Sequence, residues 1–248
     1  DRRVYDRYIF NNSGSNIEII KSIRPSKEFV IIGHGFAGSK EMMRQIAYDV
    51  ANAGSNAVLF DFIGHGSNQR KLVNQPTEIT GTTQQLVNQL SDIIKFVYEK
   101  FGNEIIISLV GHSMASDIVI RASADERVKS VIAISPYSTG ITKYFPKDLL
   151  LISGQFENHL RSHALQMVKT FKPEVSENTE YADEKTRRKA SYVQNTGHVS
   201  VIYAPQTTRI IIDWLKLENY ERPFWKTHMG WIMIGITFIV IGLSRLYI

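Results

Sequence analysis

The sequence predicts an α/β domain: a doubly wound, mostly parallel sheet with helices on both faces. Three observations point there. From Phe29 to Leu217, short apolar runs alternate with longer amphipathic stretches. The runs are continuous, as expected of strands covered on both faces. A repeated strand–helix–strand order also calls for parallel pairing through right-handed crossovers.

The elements follow in order. Val4 to Phe10 and Asn16 to Ile23 flank Asn11-Asn-Ser-Gly-Ser15 and predict an antiparallel hairpin at one sheet edge. Phe29-Val-Ile-Ile32 predicts the first parallel strand, ending in Gly33-His-Gly35. Ser39 is placed to cap a helix from Lys40 to Ala53, which Gly54 ends. Asn56 to Phe60 is the next strand. Over Thr82 to Phe101, Leu86, Leu90, Ile93, Ile94 and Val97 recur at helical spacing. Glu104 to Val110 predicts a strand and Met114 to Ala124 a helix. Val128 to Ser135 and Asp148 to Ser153 predict two more strands. Asn158 to Thr170 reads as a helix, Lys189 to Gln194 as a strand, and Pro205 to Leu217 as a helix opened by proline.

Composition narrows the function classes. The chain has 248 residues, 43% hydrophobic and 21% charged, which excludes a disordered or collagen-like chain. Its formal net charge of +5 is spread too thinly to imply nucleic acid. The densest basic cluster, Lys185-Thr-Arg-Arg-Lys189, reads as a solvated loop or strand edge. There is no cysteine, so disulfides, thiolate zinc sites and cysteine nucleophiles are excluded.

The sharpest chemical signal is Gly111-His-Ser113-Met-Ala115, directly after an apolar strand and directly before a helix. A tight strand-to-helix turn there holds a serine hydroxyl out at the carboxyl edge of the sheet. Gly is usual at the last position, and Ala115 departs from that pattern by one methyl. A serine is a weak nucleophile and needs a base, an orienting acid and an oxyanion hole. His198 follows the last predicted strand, where the base belongs. Glu157 follows the strand Leu149–Ser153, where the acid belongs. The backbone N–H groups of Phe36 and Met114 are the oxyanion donors that this architecture requires.

Together with Asp61-Phe-Ile-Gly-His-Gly66, a D-x-x-G-x-G loop, these motifs resemble the α/β-hydrolases of the serine-esterase, lipase and serine-aminopeptidase type. The resemblance covers residues 16 to 217 and implies that fold, a Ser113–His198–Glu157 triad, and no cofactor or metal. Relatives usually carry Asp at the acid position, and Glu is a minority form. Only Pro136 to Lys147 lies where many relatives insert a lid, so the lid is minimal and the site open. Tyr137, Tyr144, Phe145 and the loop from Phe62 to Thr80 are what remains to roof it. Phe36, Phe62, Met114, Tyr137 and Phe156 are candidates for an apolar substrate pocket, and Phe36, Phe62, Met114 and Phe156 are equally candidates for ordinary core.

The other histidines take plainer readings. His34 and His65 shape loops, and His112 points into the packing behind the elbow. His159 and His163 are four apart on a helix but lack the Glu of the zinc-protease arrangement, so they read as a solvated face.

Met229 to Ser244 carries no charge, with Trp225 and Trp231 at one end and Tyr247 at the other. It predicts a C-terminal transmembrane helix (229–248) after a hydrolase domain (1–217) and a polar linker (218–228). The expected protein is a membrane-tethered serine hydrolase, its domain favoured on the extracytoplasmic side, acting on a small-molecule or lipid ester or amide. The rival is a non-catalytic module of the same fold that binds a partner at a membrane.

Overall fold

The computed structural model describes residues 5–10, 14–22, 24–72, 81–218 and 235–239. Nine strands run in chain order: β1 (Tyr5–Phe10), β2 (Ser15–Ile20), β3 (Glu28–Gly33), β4 (Asn56–Leu59), β5 (Ile106–His112), β6 (Val128–Ile134), β7 (Asp148–Gly154), β8 (Glu180–Ala182) and β9 (Arg187–Val193). Five α-helices accompany them, four between strands and the last after β9: α1 (Arg44–Asn52), α2 (Thr82–Phe101), α3 (Met114–Ala122), α4 (Asn158–Lys169) and α5 (Pro205–Leu215). The strands form one sheet in the order β1-β2-β4-β3-β5-β6-β7-β9-β8, antiparallel only at β1/β2, β2/β4 and β8/β9.

The chain leaves β3 towards β4 on one side, then returns to lay β5 on the other. The order therefore reverses between β3 and β5, the position where open α/β sheets build their sites. Gly33 pairs with Gly111 at that crevice, so the two loops that follow start side by side.

Both faces of the sheet are covered. Phe29, Ile31, Val58, Leu109, Val131, Leu149 and Leu151 face α2, α3 and α4. Val30, Ile32, Ala57, Leu59, Val110, Ile132 and Leu150 face α1 and α5, where Ile46, Val50, Ile211 and Trp214 meet them. Neighbours in one strand bury on opposite faces, which is why the runs are apolar at every position.

Several elements differ from the sequence reading, each for a physical reason. The helix expected over Lys40–Ala53 opens as a 3-10 turn, Lys40–Met43, before α1. Ser39 makes no side-chain cap; instead Asp61 Oδ1 accepts the Lys40 N–H at 2.8 Å and Asp61 Oδ2 the Lys40 ammonium at 2.8 Å. The basic cluster at 185–189 is not solvated throughout. Arg188 lies in β9 with its side chain fully buried. Its guanidinium donates to the carbonyls of Thr142, Phe145 and Met167 and to Thr170 Oγ1, tying the β6–β7 connection to the end of α4. Burial without a carboxylate partner lowers its pKa to about 10. The short edge strand β8 and a 3-10 turn at Ser200–Tyr203 have no counterpart in the sequence reading.

The expected membrane segment lies outside the described residues except for 235–239, which are helical. Among the described residues, no helix is long and apolar enough to cross a membrane. Contacts divide the chain into two units, Asp1–Glu218 and Asn219–Ile248, and Ser113, Glu157 and His198 all lie in the first.

Candidate active site

Gly111 must be glycine because a Cβ there would overlap the Ala115 carbonyl and come within 2.8 Å of Val119. The chain turns so sharply from β5 into α3 that Ser113 has φ 56° and ψ −116°, outside the regions open to ordinary L-residues. Its N–H is held by the Ile134 carbonyl at 2.9 Å, and its own carbonyl accepts from Ser116 N–H at 2.8 Å. The strained turn is thus clasped by β6 and by the first turn of α3, leaving the hydroxyl free to point out of the sheet.

Ser113 Oγ lies 2.9 Å from His198 Nε2, and His198 Nδ1 lies 2.6 Å from Glu157 Oε1. The three side chains sit in series, although they come from the ends of β5 and β7 and the loop after β9. A carboxylate can only accept, so Nδ1 carries the proton and Nε2 offers its lone pair to the serine hydroxyl. The Glu157 side chain is almost fully buried, and the imidazole is half exposed. The other Glu157 oxygen, Oε2, accepts from Gly154 N–H at 2.5 Å and Ser135 Oγ–H at 2.9 Å. His112 is buried and donates Nε2–H to the His198 carbonyl at 2.7 Å, fixing the backbone that carries the imidazole. Burial lowers the His112 pKa, which keeps its ring neutral.

The Gly35–Phe36 loop, expected to supply an oxyanion donor, is fixed by a second neutral histidine. His34 Nδ1–H donates to the Gly35 carbonyl at 2.8 Å, and Gly38 N–H donates to the same oxygen at 3.1 Å. With that carbonyl held, the Phe36 N–H of the same peptide faces the opposite way. His34 Nε2 accepts the Phe62 N–H at 3.1 Å, so the ring has no place for a second proton, and burial lowers its pKa accordingly. Among the described residues, neither the Phe36 nor the Met114 N–H meets an acceptor. Asp61 anchors the adjoining loop: besides Lys40, its Oδ2 takes Ser67 N–H at 3.0 Å and Ser67 Oγ–H at 2.8 Å. These donors bring its pKa down to about 2.

The expected pocket residues separate. Phe36, Tyr137 and Phe156 are 61%, 61% and 67% exposed and stand on loops at the carboxyl edge of the sheet. Phe62 does not line an open pocket: its ring is fully buried, edge-on to Phe60 and His34. The Phe62–His34 hydrogen bond turns the backbone so that this ring packs inward, over Gly33. His163 stacks on Tyr137 with ring centroids 4.6 Å apart, while His159 is exposed. Among the described residues, no group of three or more His, Asp or Glu side chains is placed to hold a metal ion. Ser135 and Gly154, which hold Glu157, carry no sequence motif that would have marked them.

A family model for the alpha/beta hydrolase fold matches residues 28–220. The chain belongs to the α/β-hydrolase family. Among curated proteins, none matches this sequence. Solved structures with the same fold include a dienelactone hydrolase from Anabaena variabilis, at TM-score 0.63 and 13% identity over 87% of this chain and 99% of that one. An esterase from Pyrococcus furiosus gives TM-score 0.63 and 16% identity over 86% and 92%. A lidless α/β serine hydrolase from Xanthomonas campestris gives 0.62 and 12% over 88% and 97%. At these identities the α/β-hydrolase likeness is one of fold.

Proposed function

We propose that this α/β-hydrolase cleaves an ester or amide bond by forming an acyl-enzyme on Ser113. The observation that carries this reading is the unbroken hydrogen-bond series from Ser113 Oγ through His198 to Glu157. In the first half-reaction His198 Nε2 takes the hydroxyl proton as Ser113 Oγ attacks the carbonyl carbon. Glu157 holds the imidazole in the required tautomer and faces the imidazolium that forms. The carbonyl oxygen, now carrying the negative charge, is met by the Phe36 and Met114 N–H groups. The imidazolium then protonates the leaving alcohol or amine. In the second half, water loses a proton to His198 and attacks the acyl carbon, releasing the acid and restoring Ser113.

An ester of a small molecule is the favoured substrate, in keeping with the esterase and dienelactone hydrolase among the structural neighbours. The exposed Phe36, Tyr137 and Phe156 offer apolar contact to its acyl or alcohol group. Tethering of the domain to a membrane through 229–244 rests on the uncharged run in the sequence alone.

A fluorophosphonate probe tests the reading. Wild type should be labelled at Ser113, and Ser113→Ala should abolish both labelling and turnover of p-nitrophenyl esters. Labelling that survives this substitution would move the chemistry to another residue.

A further inference from the structure

Ser135 is a second outlier at the carboxyl edge of the sheet. It follows β6 with φ 50°, a left-handed backbone that a non-glycine residue adopts only at a cost. It is buried, and its N–H is held by the Ile152 carbonyl of β7 at 2.7 Å. The conformation aims its hydroxyl at Glu157 Oε2, 2.9 Å away.

We propose that Ser135 is a positioning residue for the Glu157–His198 pair, its hydroxyl fixing Glu157 Oε2 so that Oε1 stays directed at His198 Nδ1. This inference rests on the reading of Ser113 and His198 as the reacting pair. The need for such a residue follows from the acid itself. Glu has one more rotatable bond than Asp, so its carboxylate has more ways to turn away from the imidazole. Three donors hold it: Ser135 Oγ–H and Gly154 N–H on Oε2, and His198 Nδ1–H on Oε1. Two donors on Oε2 fix the carboxylate plane more closely than Gly154 N–H by itself, and so hold Oε1 in line with His198 Nδ1–H. The charged and titratable neighbours are otherwise engaged. Arg161, on α4, gives its guanidinium to Glu177 and the Gln155 carbonyl. His112 gives its Nε2–H to the His198 carbonyl.

The strained backbone supplies a test that separates positioning from mere structural fit. Ser135→Gly removes the hydroxyl and relieves the backbone, while Ser135→Ala removes the hydroxyl and keeps the strain. In the full chain, both should lower kcat on a soluble short-chain ester by about tenfold, the scale of one hydrogen bond to a charged group, with KM unchanged. Their thermal midpoints should differ, Gly above Ala. The downfield proton resonance of His198 Nδ1–H should shift or broaden in both. Ser135→Asn, which tolerates the left-handed backbone and brings an N–H donor, should recover part of kcat over Ser135→Gly.

Wild-type kcat and an unmoved resonance in Ser135→Gly would overturn the proposal. So would a loss of kcat that follows the thermal midpoint instead of the hydroxyl. If wild type were not labelled by fluorophosphonate, the hydrolase reading would fall. The resonance would still report separately whether Ser135 orders the Glu157–His198 pair.

Discussion

The methyl group of Ala115 occupies the space that Gly33 leaves empty: a Cβ built on Gly33 would stand 3.2 Å from the Ala115 Cβ and 2.9 Å from the Phe62 ring. The elbow carries Ala where the motif usually has Gly, and the neighbouring strand accommodates the added carbon. Gly33→Ala is therefore expected to cost about 1–3 kcal/mol through overpacking. It should also lower kcat, because the displaced strand leads straight into the Phe36 peptide. Ala115→Gly should cost only about 1 kcal/mol of helix propensity and leave kcat near wild type. Denaturant midpoints and ester turnover check both, and an undisturbed Gly33→Ala enzyme would refute the packing argument.

In the proposed mechanism Glu157 works by reach. Glu157→Asp keeps the charge but withdraws the carboxylate by one methylene, so it cannot satisfy Ser135, Gly154 and His198 together. A loss of about 10²-fold in kcat is expected, within the 10²–10⁴-fold expected for Glu157→Gln and well short of His198→Ala. Asp148→Asn should leave kcat unchanged. That carboxylate sits at the opposite end of β7, held by Ser130, Arg187 and Trp214. If Asp148→Asn abolished turnover while Glu157→Asp did not, the acid would be misassigned.

Acid should weaken the fold in two stages. His34 and His112 have pKa values lowered by burial, so the unfolded chain takes up their protons first. Their contribution is complete above the unfolded value of about 6.5 and is lost as pH falls below it. Asp61, brought down to about 2, adds a second loss as pH falls from its ordinary 3.8 through that value. Urea midpoints between pH 8 and pH 3 measure this, and a midpoint that held or rose on acidification to pH 5 would contradict the first stage.

Asp61→Asn should cost about 3 kcal/mol, because it leaves the nearly buried Lys40 ammonium with only the exposed Glu41 carboxylate, 3.9 Å away, as counter-charge. The loop after β4 and the 3-10 turn before α1 share this anchor, so both should lose hydrogen-exchange protection together. Protection unchanged in either segment would show that the two are fixed independently.

A chain ending at Glu218 should remain folded and active. All three residues in the Ser113 series lie in the first unit, and Glu218 itself closes it by pairing with Arg24 and donating N–H to the Ala53 carbonyl. Turnover on a soluble ester equal to that of the full chain is the expected result. Aggregation of the shortened chain would mean that the fold requires residues beyond 218.

Much of this architecture was legible because its determinants are local in sequence. A strand buried on both faces announces itself as an apolar run, and α2 matches its expected bounds because its five apolar positions keep helical period. The elbow was legible because the turn excludes side chains at Gly111. What escaped the sequence depends on partners distant in the chain. Asp61 replaces Ser39 as the anchor of the 40–43 turn only because β4 lies beside β3. Gln89, buried on α2, donates to the Asp61 carbonyl and accepts the Ile63 N–H, a role invisible in a helix read by hydrophobic period. Arg188 looked solvated because its acceptors, the Thr142, Phe145 and Met167 carbonyls, are backbone groups that leave no mark on a sequence. The edge strand β8 has three residues and no apolar alternation, and it exists because β9 offers an open edge.

The Gly33–Gly111 pairing is one of several long-range pairings that must close before the proposed site is complete. Its two strands are separated by all of α1, β4 and α2, and His198 is made later still. A nascent chain that has just released Ser113 from the ribosome has neither His198 nor Glu157, and its elbow lacks the β6 clasp at Ile134. The hydroxyl stays as unreactive as that of any other serine until synthesis has passed β9 and the long-range pairings have closed, the slow step for a sheet of this connectivity. On the proposed mechanism, incomplete chains are thereby chemically silent, and acyl transfer is confined to molecules that have finished folding.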